Sequence, residues 1–302
     1  MKNRAQATLL PDGRRLHLHD GPIDLIIEAF GTESEIKKAY RVAAERFESV
    51  LDELCRELPL LRQSATENGP RPVGVIAMRM YDAVLPYCQQ TFVTPMAAVA
   101  GSVAEEILRS MMSVATLSRA YVNNGGDIAL HLSTGESFIV GMVERPDEPS
   151  LFGTLRLDAA HAVRGIATSG WRGRSFSLGI ADAVTVLADR ASAADAAATI
   201  IANNVDLPGH PSIVRIPACE LDPDSDLGDR LVTRQVGELS DGEISDALRA
   251  GAVIARSILS DGLIRAAALR LHGSTSVIRE ATPSGIALDA DPIQSSEVLI
   301  HA

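Results

Sequence analysis

Apolar positions along the chain follow two rhythms, one of about 3.6 residues and one of two, and each rhythm comes in blocks. Ile36, Tyr40, Ala43, Phe47, Leu51 and Leu54 repeat at the helical period, and Thr32 and Glu35 have capping-box spacing. A long helix is therefore predicted over about 33–60. Val99, Val103, Ile107 and Met111 make a second stripe within MAAVAGSVAEEILRSMMSVATL. Further helices are expected over about 193–203 and from Ser240, which with Glu243 repeats the capping-box spacing, to about 259.

The period-two segments lie between these blocks. ATLLPDGRRLHLHD reads as a hairpin around Pro11-Asp12-Gly13, and IDLIIEAFG as a buried strand. YVNNGGDIALHLSTGESFIVGMV reads as an antiparallel meander, with Ile128, Leu130 and Leu132 alternating against Asp127, Ala129 and His131. LFGTLRL, AVTVLA and LIRAAALRL complete the strands; ATENGPRP (65–72), GIATSGWRGRSFSLG and the acidic CELDPDSDLGDR are the expected loops. Strands come in runs without regular βαβ alternation, so the expected class is α+β, an antiparallel sheet flanked by helices. One domain is expected over 1–272, with its core motifs in 90–206, followed by a loosely held tail over 273–302.

Composition narrows the function classes. With 302 residues, 46% of them apolar, the chain can bury a sizeable core. Its 28 basic and 39 acidic residues give a net charge of −11, and no basic stripe is present, so nucleic acid is not an expected partner. Cys55, Cys88 and Cys219 form no Cys-x-x-Cys pair, which indicates neither a disulfide framework nor a zinc knuckle. No stretch approaches the roughly 18 apolar residues of a membrane span, and the N-terminus lacks an apolar signal region. A cytoplasmic protein without a membrane partner is expected.

Neither a Rossmann nor a P-loop glycine pattern occurs, so a nucleotide site must be built otherwise. His17 and His19 have a spacing that can serve a metal, but the sequence offers no evident third ligand, and the surface reading is preferred. Asp222, Asp224 and Asp226 imitate the start of an EF-hand loop, yet Leu227 and Thr233 stand where glycine and glutamate are required. NNGGDI (123–128) is either a plain hairpin turn or a place where Gly125 and Gly126 let backbone N–H groups approach a ligand. ATSG (167–170) offers two hydroxyls and a glycine. In ADAAAT, Asp195 is open to two readings: an acidic partner to a Ser192 N-cap, or, with Thr199 four residues on, a sparse oxygen site suited to Mg²⁺.

The succession PMAAVAGSVAEEI, YVNNGGDI, FIVGMVERP, IATSG, AVTVLA, ADAAAT resembles the ApbE-like superfamily, whose best-known members are Mg²⁺-dependent FAD:protein FMN transferases. The likeness is close over about 90–206. TPMAAVAGSVAE, NGGDI and GRSFSLGIADAVTV look like its cytoplasmic branch, catalogued as uncharacterised protein family 0280. The resemblance implies an ApbE-like fold and Mg²⁺ held by Asp195 and Thr199, with a backbone carbonyl of the 97–101 segment, which includes Gly101, as a further ligand. It implies a flavin pocket lined by Gly125, Gly126 and Asp127, with Thr168, Ser169 and Gly170 beside them. The partners it implies are FAD or a related dinucleotide and a protein acceptor; a homo-oligomer is left open by the sequence.

Departures from the pattern divide the functional reading. The transferases' His-Ile-x-Asp-Pro-x-Thr-Gly stretch is replaced by WRGRSFSLGIAD, so their histidine has no counterpart; Ala100 stands where their lysine precedes glycine, and Glu105 replaces an aspartate. Against its own branch, Arg174 stands for histidine and Ile180 for lysine, and Arg172 and Arg174 are either phosphate ligands or solvated. Two classes follow: a Mg²⁺-dependent transferase or pyrophosphate-cleaving enzyme, and a binding protein that has lost the transfer chemistry.

Overall fold

The computed structural model describes residues 4–143 and 151–280, together with two short strands at 288–289 and 299–301. The chain opens with three antiparallel strands, β1 (Gln6–Leu9), β2 (Leu16–Asp20) and β3 (Ile23–Phe30), where alternation buries Leu16, Leu18, Leu25 and Ile27 on one face. Two helices follow, α1 (Glu33–Phe47) and α2 (Val50–Leu61), in place of the single helix expected over 33–60. The break falls at Ser49, whose hydroxyl donates to Glu53 beside Arg46. Apolar spacing runs on through this corner, so periodicity alone does not register it. Thr32 and Ser240 both cap as expected, the latter within a full capping box.

The sequence does not announce helix α3 (Val75–Val84), because Val75 and Met78 are apolar although exposed and blur the stripe on which Ile76, Ala77, Met80, Tyr81, Ala83 and Val84 are buried. A 3₁₀ turn at Pro95–Ala98 leads into α4 (Val99–Met112), and β4 (Arg119–Asn124) and β5 (Asp127–Leu132) form a tight hairpin. The expected meander stops there. The next strand, β6 (Ser137–Val143), pairs with β7 (Leu151–Asp158) in a separate sheet, and β5 pairs instead with β8 (Gly165–Ser169). After β9 (Ala183–Ala188) come α5 (Ala191–Asn204), the hairpin of β10 (Ile213–Pro217) and β11 (Leu231–Val236) around a short α6 (Ala218–Leu221), and α7 (Asp241–Ser260). Strands β12 (Ala266–Leu271) and β13 (Ser274–Arg279) close the main sheet, and β14 (Leu288–Asp289) and β15 (Leu299–His301) flank the small one.

The nine-stranded sheet runs β1-β2-β3-β4-β5-β8-β9-β12-β13, and every neighbouring pair is antiparallel. The class is α+β, with helices on one face of the sheet and the small sheet on the other. The helix-side core holds Phe47, Met80, Ile107 and Met111 toward one end and the alanines of α5 toward the other. Phe138, Leu155 and Leu157 meet Ile128, Ile166 and Leu187 on the opposite face. Residues 274–279, assigned by sequence to the tail, form edge strand β13 with Ile278 buried; the remainder of 281–302, apart from β14 and β15, lies outside the described residues. No helix among the described residues is long and apolar enough to cross a membrane.

Candidate functional site

Helices α4 and α5 meet at their N-termini, and each supplies what the other lacks. The first N–H groups of a helix have no partner within it, and neither helix is capped by its own N-cap side chain. Gly101 N–H, in the first turn of α4, donates to Asp195 Oδ2 at 2.9 Å. Reciprocally, Glu105 on α4 accepts from the Ser192 backbone N–H and hydroxyl on α5, both at 2.9 Å. Arg79 on α3 holds the other Glu105 oxygen at 3.1 Å. Asp195 therefore belongs to the N-terminal field of α4. The capping reading, with Ser192 as N-cap and Asp195 as its partner, is corrected: α5 begins at Ala191 after Arg190, and Ser192 serves Glu105.

The contact depends on Gly101. A Cβ there would stand 2.3 Å from the Ala191 carbonyl oxygen, so only glycine lets the two helices come this close. The same closeness accounts for the plainness of α5, whose alanines 191, 194, 196, 197, 198 and 202 are all buried. Asn124, at the end of β4, ties the sheet to this junction by donating to the Ala100 carbonyl at 3.2 Å.

Gly125 and Gly126 join β4 to β5 with φ of +67° and +110°, the doubly left-handed turn that tight hairpins favour, and the Gly126 N–H is held by Asn123 Oδ1 at 2.9 Å. The turn places Asp127 at the first position of β5, opposite Asn124. Residues alternate between sheet faces: Ile128 enters the core beneath the small sheet, so Asp127 projects to the helix side, where Asp195 lies. Both carboxyls sit deep in the fold while retaining some accessible surface. Burial, then the Asp195 charge, pushes the Asp127 carboxyl well above the carboxylate range, against the pull of the Thr168 backbone amide. Burial raises Asp195 to about 7 despite the Gly101 and Ala100 amides. The pair titrates as a unit. Among the described residues no arginine, lysine or histidine forms an ion pair with either carboxyl.

Thr199 lies one turn beyond Asp195 on α5, half-buried. Thr168 and Ser169 end strand β8 and do not lie in a loop. Register places Thr168 against Thr185, with hydroxyl oxygens 2.9 Å apart, on the face shared by Ile166 and Leu187, away from α5. Ser169 alternates to the helix face. Gly170 packs on backbone, where a Cβ would meet the Asp182 carbonyl at 2.3 Å. The structure thus gathers Gly101, Asp127, Asp195, Thr199 and Ser169 toward one face and directs the Thr168 side chain to the other. Arg172 is held by Asp182 at 3.2 Å and lies over the Trp171 ring, while Arg174 crosses the glycine turn to the Pro22 carbonyl at 3.0 Å. Glu105 and Arg79 are the positioning residues the sequence did not assign.

A deep, accessible acidic pair with no cationic ion-pair partner among the described residues, set at the positive ends of two helices, defines an α+β protein with a candidate hard-cation centre. The family model described as "AbpE bacteria" matches residues 7–277, and the chain belongs to that ApbE-like family. UPF0280 protein MK0206 of Methanopyrus kandleri is 43% identical over 111 residues, which is 37% of this chain and 43% of that protein. A UPF0280 protein of Methanococcus vannielii is 44% identical over 114 residues, 37% of this chain and 45% of its own length. The chain thus spans less than half the length of these relatives. Among solved structures, the flavin transferase ApbE from Vibrio cholerae is 12% identical and matches with a TM-score of 0.39 over 92% of this chain and 98% of that one.

Proposed function

We propose that this protein binds FAD or a related adenine dinucleotide together with Mg²⁺ and acts on its pyrophosphate, by transfer of the flavin phosphate to an acceptor hydroxyl or by cleavage. The observation that carries the reading is the Asp127–Asp195 pair: two deep-set carboxyls raised toward neutrality, with no ion pair to a cationic side chain among the described residues. Such a pair must keep a proton or take a cation. The donor set fits Mg²⁺, since every candidate ligand is an oxygen: the two carboxylates, the Thr199 hydroxyl and the carbonyls that open α4. When bound, the ion supplies charge neutralisation at a pyrophosphate. Family membership and the glycine turn beside the pair support a dinucleotide as the ligand.

The chain's own residues do the positioning. Asn124 and the Gly101–Asp195 bond fix the opening of α4, the glycine turn admits a ligand near backbone, and Ser169 offers a hydroxyl from the same face. The second reading is a binding protein without transfer chemistry. It is favoured by the absence, among the described residues, of a histidine bonded to the acidic pair, and by the engagement of Arg172 with Asp182. The purified protein incubated with FAD separates the two. AMP release that requires Mg²⁺ supports the enzyme, whereas Mg²⁺-dependent FAD binding without AMP supports the binding protein.

A further inference from the structure

On the other face of the main sheet, one strand away from the glycine turn, three side chains converge. His17 and His19 occupy alternate positions of β2 and therefore share a face, with ring centroids 6.2 Å apart. The hairpin register sets Asp24 of β3 directly opposite His19 and diagonal to His17. Its Oδ2 lies 3.0 Å from His17 Nε2 and 3.2 Å from His19 Nδ1, and all three ligand atoms fall within 4.8 Å of one another. Side-chain exposures of 32%, 44% and 41% leave the cluster open to solvent. Leu25, the neighbour of Asp24, is buried on the helix side, so this cluster and the Asp127–Asp195 pair occupy opposite faces.

We propose that His17, His19 and Asp24 form a binding site for a divalent transition metal of the Zn²⁺ class, with a fourth position open to water or a ligand. Two imidazoles and a carboxylate are a borderline donor set that suits Zn²⁺ and not Mg²⁺. Bonds of about 2.0–2.1 Å in a tetrahedron place neighbouring ligand atoms about 3.3 Å apart, close to the His–Asp separations seen here, so little movement is needed to admit the ion. The two-residue Gly21-Pro22 turn holds the strands in register, with Gly21 at a φ of +58°. Gln6 and Thr8 of β1, paired with His19 and His17, flank the cluster on the same face, and Ile26 of β3 lies opposite His17. The site is independent of the dinucleotide reading.

The test is equilibrium dialysis of tag-free, chelator-stripped protein against Zn²⁺, paired with visible spectra after Co²⁺ loading. One ion per chain and the intense bands of four-coordinate Co²⁺ are expected. His17→Gln, His19→Gln and Asp24→Asn alter half-buried positions on the outer face of the hairpin and should each weaken binding at least tenfold when Mg²⁺ is present in excess to hold the acidic pair. If one hairpin variant fails to fold, the other two still decide. No retained Zn²⁺, only the weak bands of six-coordinate Co²⁺, or unaltered binding in the histidine variants would overturn the assignment.

Discussion

Asp195→Asn separates a metal-binding acid from a structural cap, because the amide can still accept from the Gly101 N–H but carries no charge. The Asp195 carboxyl is raised from 3.8 to about 7, chiefly by burial. That is about three units, at roughly 1.4 kcal/mol each, or on the order of 4 kcal/mol stored against the fold at alkaline pH. Solvent reaching part of the carboxylate trims the gain on neutralisation to about 2–3 kcal/mol. Between about pH 4 and 7 the folded state binds more protons than the unfolded chain, so stability of the metal-free protein falls as pH rises through that window. The Asn variant should lose the Asp195 share of this slope, keep the share that burial gives Asp127, and be the more stable protein at pH 8 in chelator. Mg²⁺ should restore the wild type, by about 2.7 kcal/mol at a hundred times its dissociation constant, and leave the variant unmoved. Urea unfolding at pH 5, 6, 7 and 8, with chelator or with Mg²⁺, reads all of these at once. A wild type with no pH slope, or a variant less stable at pH 8 with Mg²⁺ stabilising neither protein, would refute the reasoning and make Asp195 the cap of α4 alone.

Other substitutions reach different parts of the junction. Gly101→Ala should destabilise by about 2–4 kcal/mol in thermal or urea unfolding, because its Cβ would meet the Ala191 carbonyl at 2.3 Å. Glu105→Gln weakens charged hydrogen bonds to Ser192 and Arg79 and should cost about 1–3 kcal/mol by the same measurement. Thr199→Val should leave stability nearly unchanged while weakening Mg²⁺-dependent nucleotide binding, seen by calorimetry. Gly126→Val forces a branched side chain into a φ of +110° beside the site, and unchanged dinucleotide affinity in a folded variant would remove the glycine turn from the pocket.

What the sequence disclosed depended on how local the determinant was. Strand alternation and helical stripes announced the α+β class, and both capping residues, Thr32 and Ser240, were legible because cap and partner lie three residues apart. Spacing also placed Asp195 and Thr199 on one helix. It could not reveal that Asp195 serves α4, because its partner Gly101 is 94 residues away. Nor could it show that Asp127 opposes Asp195, which follows from β5 pairing with β8 instead of β6. The Thr168 hydroxyl was misdirected for a related reason: a turn-like Thr-Ser-Gly run is the end of a strand, and alternation sends its two hydroxyls to opposite faces. Asp24 was within reach. A two-residue turn at Gly21-Pro22 already sets it opposite His19, and reading LHLHDGPID as a hairpin would have supplied the third ligand.

The most direct test of the acidic pair as a metal-dependent dinucleotide centre is calorimetric titration of FAD into wild type and Asp195→Asn, each with Mg²⁺ and with chelator, at pH 8. The account predicts FAD binding to the wild type that strengthens at least tenfold with Mg²⁺, and no such gain in the folded variant. Equal FAD affinity with and without Mg²⁺ in the wild type, or the same gain in both proteins, would contradict it.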